Sequence, residues 1–214
     1  MTGKLKIGLF TCLSILVFDK HVLFISNSEG DVAVMKRKFL KFLFLSVAVL
    51  FWGAALTFAA NLEKGMQADD WSFKDPDGKL MRMADWPGRV LVIVYVDPLK
   101  ADMNNPFTDA VTQKKNEGIL TPDVYHAIGI ADCKSTWIPD SAIRLIAAKK
   151  AAKYKNTVLF DYDAELRKQW GLKKNSCNII VVDKKRVCRY ICRGRVPDDQ
   201  VDAIVQQIIA LSKE

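Results

Sequence analysis

The stretch Arg89-Val90-Leu91-Val92-Ile93-Val94-Tyr95-Val96 constrains the fold more than any other part of this 214-residue chain. It is a near-continuous run of β-branched and apolar residues without polar alternation. Such a run suits a strand buried on both faces, at the centre of a sheet covered by helices. Asp97-Pro98 ends it, because proline lacks an amide donor and restricts the residue before it.

Further elements order themselves around this strand. Upstream, Trp71 to Lys74 and Lys79 to Met83 flank Asp75-Pro76-Asp77-Gly78, a hairpin in which glycine supplies the positive φ. Downstream, the pattern predicts a helix over about 103–117, a strand over 124–131 and a helix from Asp140 into a Lys-rich tail. A short strand at 157–161 and a short helix at 164–170, closed by Gly171, come next. Residues 178–183 and 187–192 form a second hairpin. Pro197-Asp198-Asp199 opens a last amphipathic helix with Val201, Ile204, Ile208 and Leu211 on one face.

This order is that of thioredoxin-like domains of the peroxiredoxin and TlpA type. The expected fold class is α/β: a three-layer α/β/α sandwich with a mixed central sheet and an N-terminal β-hairpin. More specific features are Gly88-Arg89-Val90, the Asn-rich helix start after Asp97, and Ile138-Pro139-Asp140. Phe160-Asp161-Tyr162-Asp163 leads to Gln169-Trp170-Gly171-Leu172, and Val181-Val182-Asp183-Lys184 precedes the last strand. In order and spacing these residues resemble the YtfJ family of small periplasmic proteins, from about Gly88 to the C-terminus. The resemblance implies a thioredoxin-like fold and an export signal, and it names no reaction. The chain departs from the family pattern at Cys177, Cys188 and Cys192.

The first sixty residues speak to location. From Met35 the chain reads Met-Lys-Arg-Lys-Phe-Leu-Lys, followed by an uncharged apolar run over 42–60 that contains Gly53, Ala55, Thr57 and Ala59. A basic start, an apolar middle and small residues at the end make a secretory signal. The run also approaches the ~20 residues that span a bilayer, so an uncleaved anchor stays open. Either way the positive flank places the C-terminal domain outside the cytoplasm, in the periplasm or tethered to the inner membrane. Residues 1–34 read as an upstream extension from a misassigned start, 35–60 as signal or anchor, and 61–214 as the domain.

Residues 61–214 carry 25 Lys+Arg against 21 Asp+Glu, a net +4 scattered along the chain. A nucleic-acid binder would concentrate that charge, so no nucleic-acid partner is expected. DNA-bound regulation would require residues 1–60 to be something other than an export signal. Expected partners are an envelope protein or a small ligand, with membrane contact only through 42–60 if it stays uncleaved. No cofactor is expected. His126 is the only histidine after residue 60, and Cys188-x-x-x-Cys192 lacks a second pair, so no metal site is expected either.

The thiols pose the functional question. No C-x-x-C pair occurs, and the position after the first central strand, where thioredoxins carry their nucleophile, reads Asp97-Pro98-Leu99-Lys100. An Asp there reads first as a cap. Joining the last hairpin by an even-length loop over 183–186 sets Cys177 opposite Cys192 and Val181 opposite Cys188. Direct opposition would permit a Cys177–Cys192 disulfide. Cys133 falls at the same end of the sheet, so Cys133, Cys177 and Cys192 would together make a displaced redox centre. The alternative is a staple with buried, inert thiols. The loop over 132–140 offers Ser135, Trp137 and Asp140 as binding candidates beside Asp97, with Trp137 packed over the core as its simpler reading. Asp161 and Asp163 suit a strand-to-helix cap, and Trp71 and Trp170 suit the core. Two functions follow: an exported binding or accessory module without thiol chemistry, or a non-canonical thiol-disulfide oxidoreductase.

Overall fold

The computed structural model describes residues 61–214. The expected upstream extension over 1–34 and the expected signal or anchor over 35–60 lie outside the described residues. The central strand is β3 (Val90–Val96). It pairs in parallel with β4 (Tyr125–Asp132) and antiparallel with β6 (Cys177–Val182). β5 (Thr157–Asp161) lies parallel to β4. The hairpin β1 (Ser72–Lys74) and β2 (Leu80–Arg82) adds one edge, and β7 (Cys188–Arg193) forms the other. The open seven-stranded sheet runs β2-β1-β5-β4-β3-β6-β7.

Strand alternation divides the core in two. Val90, Val92, Cys177, Ile179 and Val181 pack against α1 (Asn105–Asn116) and α4 (Val201–Lys213). On that same face α2 (Asp140–Tyr154) lays Ile143 and Ala147 over Ala131 and Phe160. The opposite face, with Leu91, Ile93, Ile128 and Leu159, is covered by α3 (Glu165–Trp170) and the segment that includes Trp71, Phe73 and Trp86. Three layers result, with the sheet in the middle and helices on both sides. Trp71 and Trp170 are buried, as core residues should be.

Residues 61–68 run as a strap beside β7. Gly65 N–H donates to Cys188 O (2.7 Å), Cys188 N–H to Met66 O (2.8 Å) and Ala68 N–H to Arg186 O (2.9 Å). Gly171 is required twice over: it sits at φ +61°, and the Asn61 side chain occupies the space a β-carbon would need.

The second hairpin corrects the expected register. Asp183 Oδ1 accepts the amides of Lys185 and Val187, both at 2.9 Å, and closes a three-residue loop. Arg186 takes the left-handed conformation (φ 67°) that glycine usually supplies. Its guanidinium is held by the carbonyls of Met83, Trp86 and Arg89, which offsets the strain of that conformation. An irregularity between Val181 and Val182 then shifts the ladder again, so Val182 pairs with Cys188 and Val181 with Tyr190. Cys192 therefore faces Ile179, and Cys177 is its diagonal neighbour on the same face. Diagonal positions lie roughly 7–8 Å apart, beyond the disulfide window of about 4.4–6.8 Å. All four cysteines of the described residues are free thiols.

Candidate functional site

The C-terminal ends of the parallel strands gather the chemistry, as in open α/β sheets generally. β4 and β5 both end in aspartate, and their register sets Asp132 beside Asp161. Tyr95, near the end of β3, points to the same face. Its hydroxyl donates to Asp161 Oδ2 at 2.9 Å. Asp161 also accepts the amides of Asp163 (3.2 Å), Glu165 (2.9 Å) and Leu166 (3.1 Å), and so caps α3 from outside the helix. That help is needed, because the residue just before α3, Ala164, sits at φ 55° and has no capping side chain.

Asp132 is 1% exposed. Its Oδ2 pairs with Arg167 Nε of α3 at 2.9 Å and accepts the Ser135 hydroxyl. Its Oδ1 is buried with no partner. Burial pushes the Asp132 carboxyl above the usual range, and the Asp161 charge adds to this; the Ser135 hydrogen bond and Arg167 act against it. Tyr95 is raised far above an ordinary phenol by burial, then by the charges of Asp161 and Asp132. The cluster thus ties three central strands to α3 and holds the phenol in its protonated, donating form.

The thiols do not join this cluster as nucleophiles. Cys133 is half-buried against Ala131, Ile143 and Phe160. Burial, followed by Asp140, Asp161 and Asp132, pushes it up to about 12. Cys177 is pushed up to about 12 by burial, and Cys188 to about 11 for the same reason. Cys177 and Cys192 lie in the core under α1 and α4, whereas Cys188 lies on the opposite face. Among the described residues no cluster of His, Cys, Asp and Glu is arranged to hold a metal ion.

The remaining sequence candidates are distributed along this edge. Asp97 is buried, and its Oδ1 accepts Leu99 N–H (2.9 Å) while its own N–H donates to Ser176 O (2.9 Å). It caps the turn over Pro98–Lys100. Ser135 joins Asp132. Asp140 is the exposed first residue of α2 and faces Cys133 electrostatically. Trp137 is 86% exposed, so its expected packing over the core is corrected: the Thr136-Trp137-Ile138 turn projects the indole into solvent. Sequence reasoning passed over Asp132, Tyr95 and Arg167. The available signal was an aspartate at the end of two successive parallel strands, which the register was bound to bring together.

Solved structures with the same fold include proteins described by redox activities. A candidate thiol:disulfide interchange protein DsbE from Chlorobium tepidum is 19% identical, with a TM-score of 0.53, covering 71% of this chain and 99% of that one. A candidate protein disulfide isomerase from Bacteroides thetaiotaomicron is 17% identical, with a TM-score of 0.55 and coverages of 72% and 92%. Peroxidoxin BcpB from Mycobacterium tuberculosis is 14% identical, with a TM-score of 0.51 and coverages of 70% and 97%. At these identities the likeness establishes a thioredoxin-like fold and nothing finer. No curated protein matches the chain in sequence. The YtfJ_HI0045 family, described as a bacterial protein of unknown function, matches residues 63–211, and the chain belongs to that family.

Proposed function

We infer that this is an exported thioredoxin-fold protein that acts by binding, as an accessory module of the cell envelope, and not by thiol chemistry. One observation carries this reading. The turn after β3, where thioredoxins hold their reactive thiol, is Asp97-Pro98-Leu99-Lys100, and its aspartate is consumed in capping. The raised thiols of Cys133, Cys177 and Cys188 support it, because the thiolate is the nucleophile. So does the exposed Trp137, an aromatic suited to a partner surface. Export rests on residues 35–60, as a cleaved signal or an anchor over 42–60. Among the described residues no helix is long and apolar enough to cross a membrane. The partner is an envelope protein or a small ligand, without cofactor, metal or nucleic acid.

The test is mass spectrometry of natively produced protein alkylated before reduction, paired with a disulfide-reduction assay on a model substrate. The expected result is an N-terminus near residue 60 in the periplasmic fraction, or an intact 42–60 in the inner membrane, with no exchange above background. Turnover lost in Cys133→Ser or Cys177→Ser would replace this reading with an oxidoreductase using Cys133, Cys177 and Cys192. An intact Met1 in cytosolic protein would overturn export.

A further inference from the structure

The middle of the sheet is open where it should be closed. Val94, Gly129 and Val158 are register partners across β3, β4 and β5, three adjoining inner strands of the sheet. All three are nevertheless partly exposed to solvent, as is Val96. They floor a cleft between α2 and the turn that leads into α1, with about 80 Å³ of free volume. The walls are apolar, from Pro98, Ala101, Ile143, Ile146 and Ala147. Three of the lining residues are small: Gly129 on the strand, Ala101 on the turn and Ala147 on α2.

Gly129 is the informative residue. Its φ is not positive, so the backbone does not demand glycine. A β-carbon at this position would meet only Val158 Cγ2 at 3.6 Å and Thr157 O at 3.8 Å, both ordinary contacts. Glycine inside a strand costs stability, and where no bulge or turn explains it, close approach of another group does. Alanine fits the fold, and what it would remove is room.

The mouth of the cleft is cationic. Lys150 lines it, with Nζ held 2.7 Å from Asp102 Oδ1 and 3.0 Å from Asn105 Oδ1. Outside it the cleft continues into a groove past Leu99 and Ile146, flanked by Lys149, Lys150 and Lys153 against the single carboxylate of Asp102. Asp102 pairs with Lys150 and Asp109 with Lys153, whereas Lys149 has no ion-pair partner among the described residues. An apolar slot opening onto lysines is complementary to an amphipathic anion.

Size narrows the class further. An apolar cavity of about 150 Å³ holds benzene, so a slot near half that volume takes three or four carbons. We propose that the cleft between α2 and the 98–103 turn binds a short branched-chain carboxylate, with its isopropyl or isobutyl end over Gly129 and its carboxylate at Lys149 and Lys150. This deepens the binding-module reading by giving it a ligand class.

The test is an NMR titration of the natively produced protein with 4-methylpentanoate, using 4-methylpentanol and acetate as controls. Saturable shifts at Val94, Ala147 and Val158 are expected, with a Kd on the order of 0.1–1 mM for a ligand of this size. Gly129→Ala should weaken binding at least tenfold while Tm holds or rises. Lys149→Gln should weaken the acid severalfold and leave the alcohol unchanged. No saturable shift at 10 mM, equal binding of acid and alcohol, or unchanged affinity in Gly129→Ala would each overturn the proposal. The disulfide-reduction assay keeps the two readings apart. Turnover together with Gly129-dependent binding overturns the module alone, and no turnover with no binding overturns the site alone.

Discussion

Replacing Asp161 by alanine should be among the most damaging single changes available to this domain. The carboxylate is 1% exposed and accepts four hydrogen bonds, from Tyr95 OH and the amides of Asp163, Glu165 and Leu166. Loss of a helix cap costs about 0.5–2 kcal/mol. Stranding the buried Tyr95 hydroxyl costs about 1–3 kcal/mol more. The sum is roughly 2–5 kcal/mol, a large share of the ~5–15 kcal/mol that holds a domain folded. In urea, with a slope of about 1–3 kcal/mol/M, the midpoint should fall by about 2 M. Tyr95→Phe alone should cost only about 1 kcal/mol, because Asp161 keeps three donors. The two changes are not independent. In the Asp161→Ala background Tyr95→Phe removes an orphaned hydroxyl, so the double variant should be no less stable than Asp161→Ala alone. Asp161→Asn, which keeps an acceptor, should fall between and remains measurable if the alanine variant does not fold. A cost for Asp161→Ala below about 1 kcal/mol would refute the reasoning. So would additivity of the two changes within about 0.3–0.5 kcal/mol.

Three other outcomes are expected. Because burial raises the Asp132 carboxyl, its contribution to stability is full below the unfolded value near 3.9 and is lost as pH rises through the raised folded value; Asp132→Asn should therefore gain in Tm relative to the parent between pH 4 and 7, and a constant difference would contradict this. His126, desolvated and repelled by Arg89 and Lys115, is lowered to about 4 and stacks on Trp86 at 4.7 Å. Its stability contribution is full above about 6.5 and is lost as pH falls toward 4, so its imidazole signals should titrate near 4 by NMR, with a midpoint at 6.5 counting against the burial argument. Trp137→Ala should change stability by less than about 0.5 kcal/mol in thermal unfolding, because the indole is 86% exposed, and a larger loss would mean that it packs.

Much of the architecture was legible because its determinants are local. The run over Val90–Val96, the Pro-Asp-Gly turn at 76–78 and the proline-led starts of α1 and α4 each encode their element within a few residues. What was not legible depends on register between distant segments. The expected pairing of Cys177 with Cys192 failed because Asp183 folds its own loop and Arg186 takes a left-handed conformation that tertiary carbonyls secure. Asp132 and Asp161 look like two unrelated strand ends until parallel pairing sets them side by side. Arg167 looks like one charge among several on a short helix, and nothing nearby in sequence marks its partner. Gly129 reads as a weak point in a strand, and only the space above it shows what the missing side chain leaves open. Asp161, by contrast, was read as a cap and is one, because capping is a local act.

The strap over residues 61–68 also sets how the domain carries mechanical load. Arg193 Nη2 donates to Leu62 O at 2.6 Å, its Nη1 lies 3.1 Å from Glu63 Oε1, and its Nε donates to Gly171 O at 2.8 Å. A second grip follows at Gly65 and Met66 against Cys188. A pull applied at Asn61 is therefore met first by the bond from Leu62 N–H to Trp170 O (3.2 Å) and by the Arg193 guanidinium, and it divides between the end of α3 and the edge strand β7. The share borne by β7 has to strip β7 from β6 before it reaches β3, whereas the share borne by α3 runs straight to the helix that Asp161 caps and Arg167 ties to Asp132, so the buried carboxylates feel a pull on the strap directly.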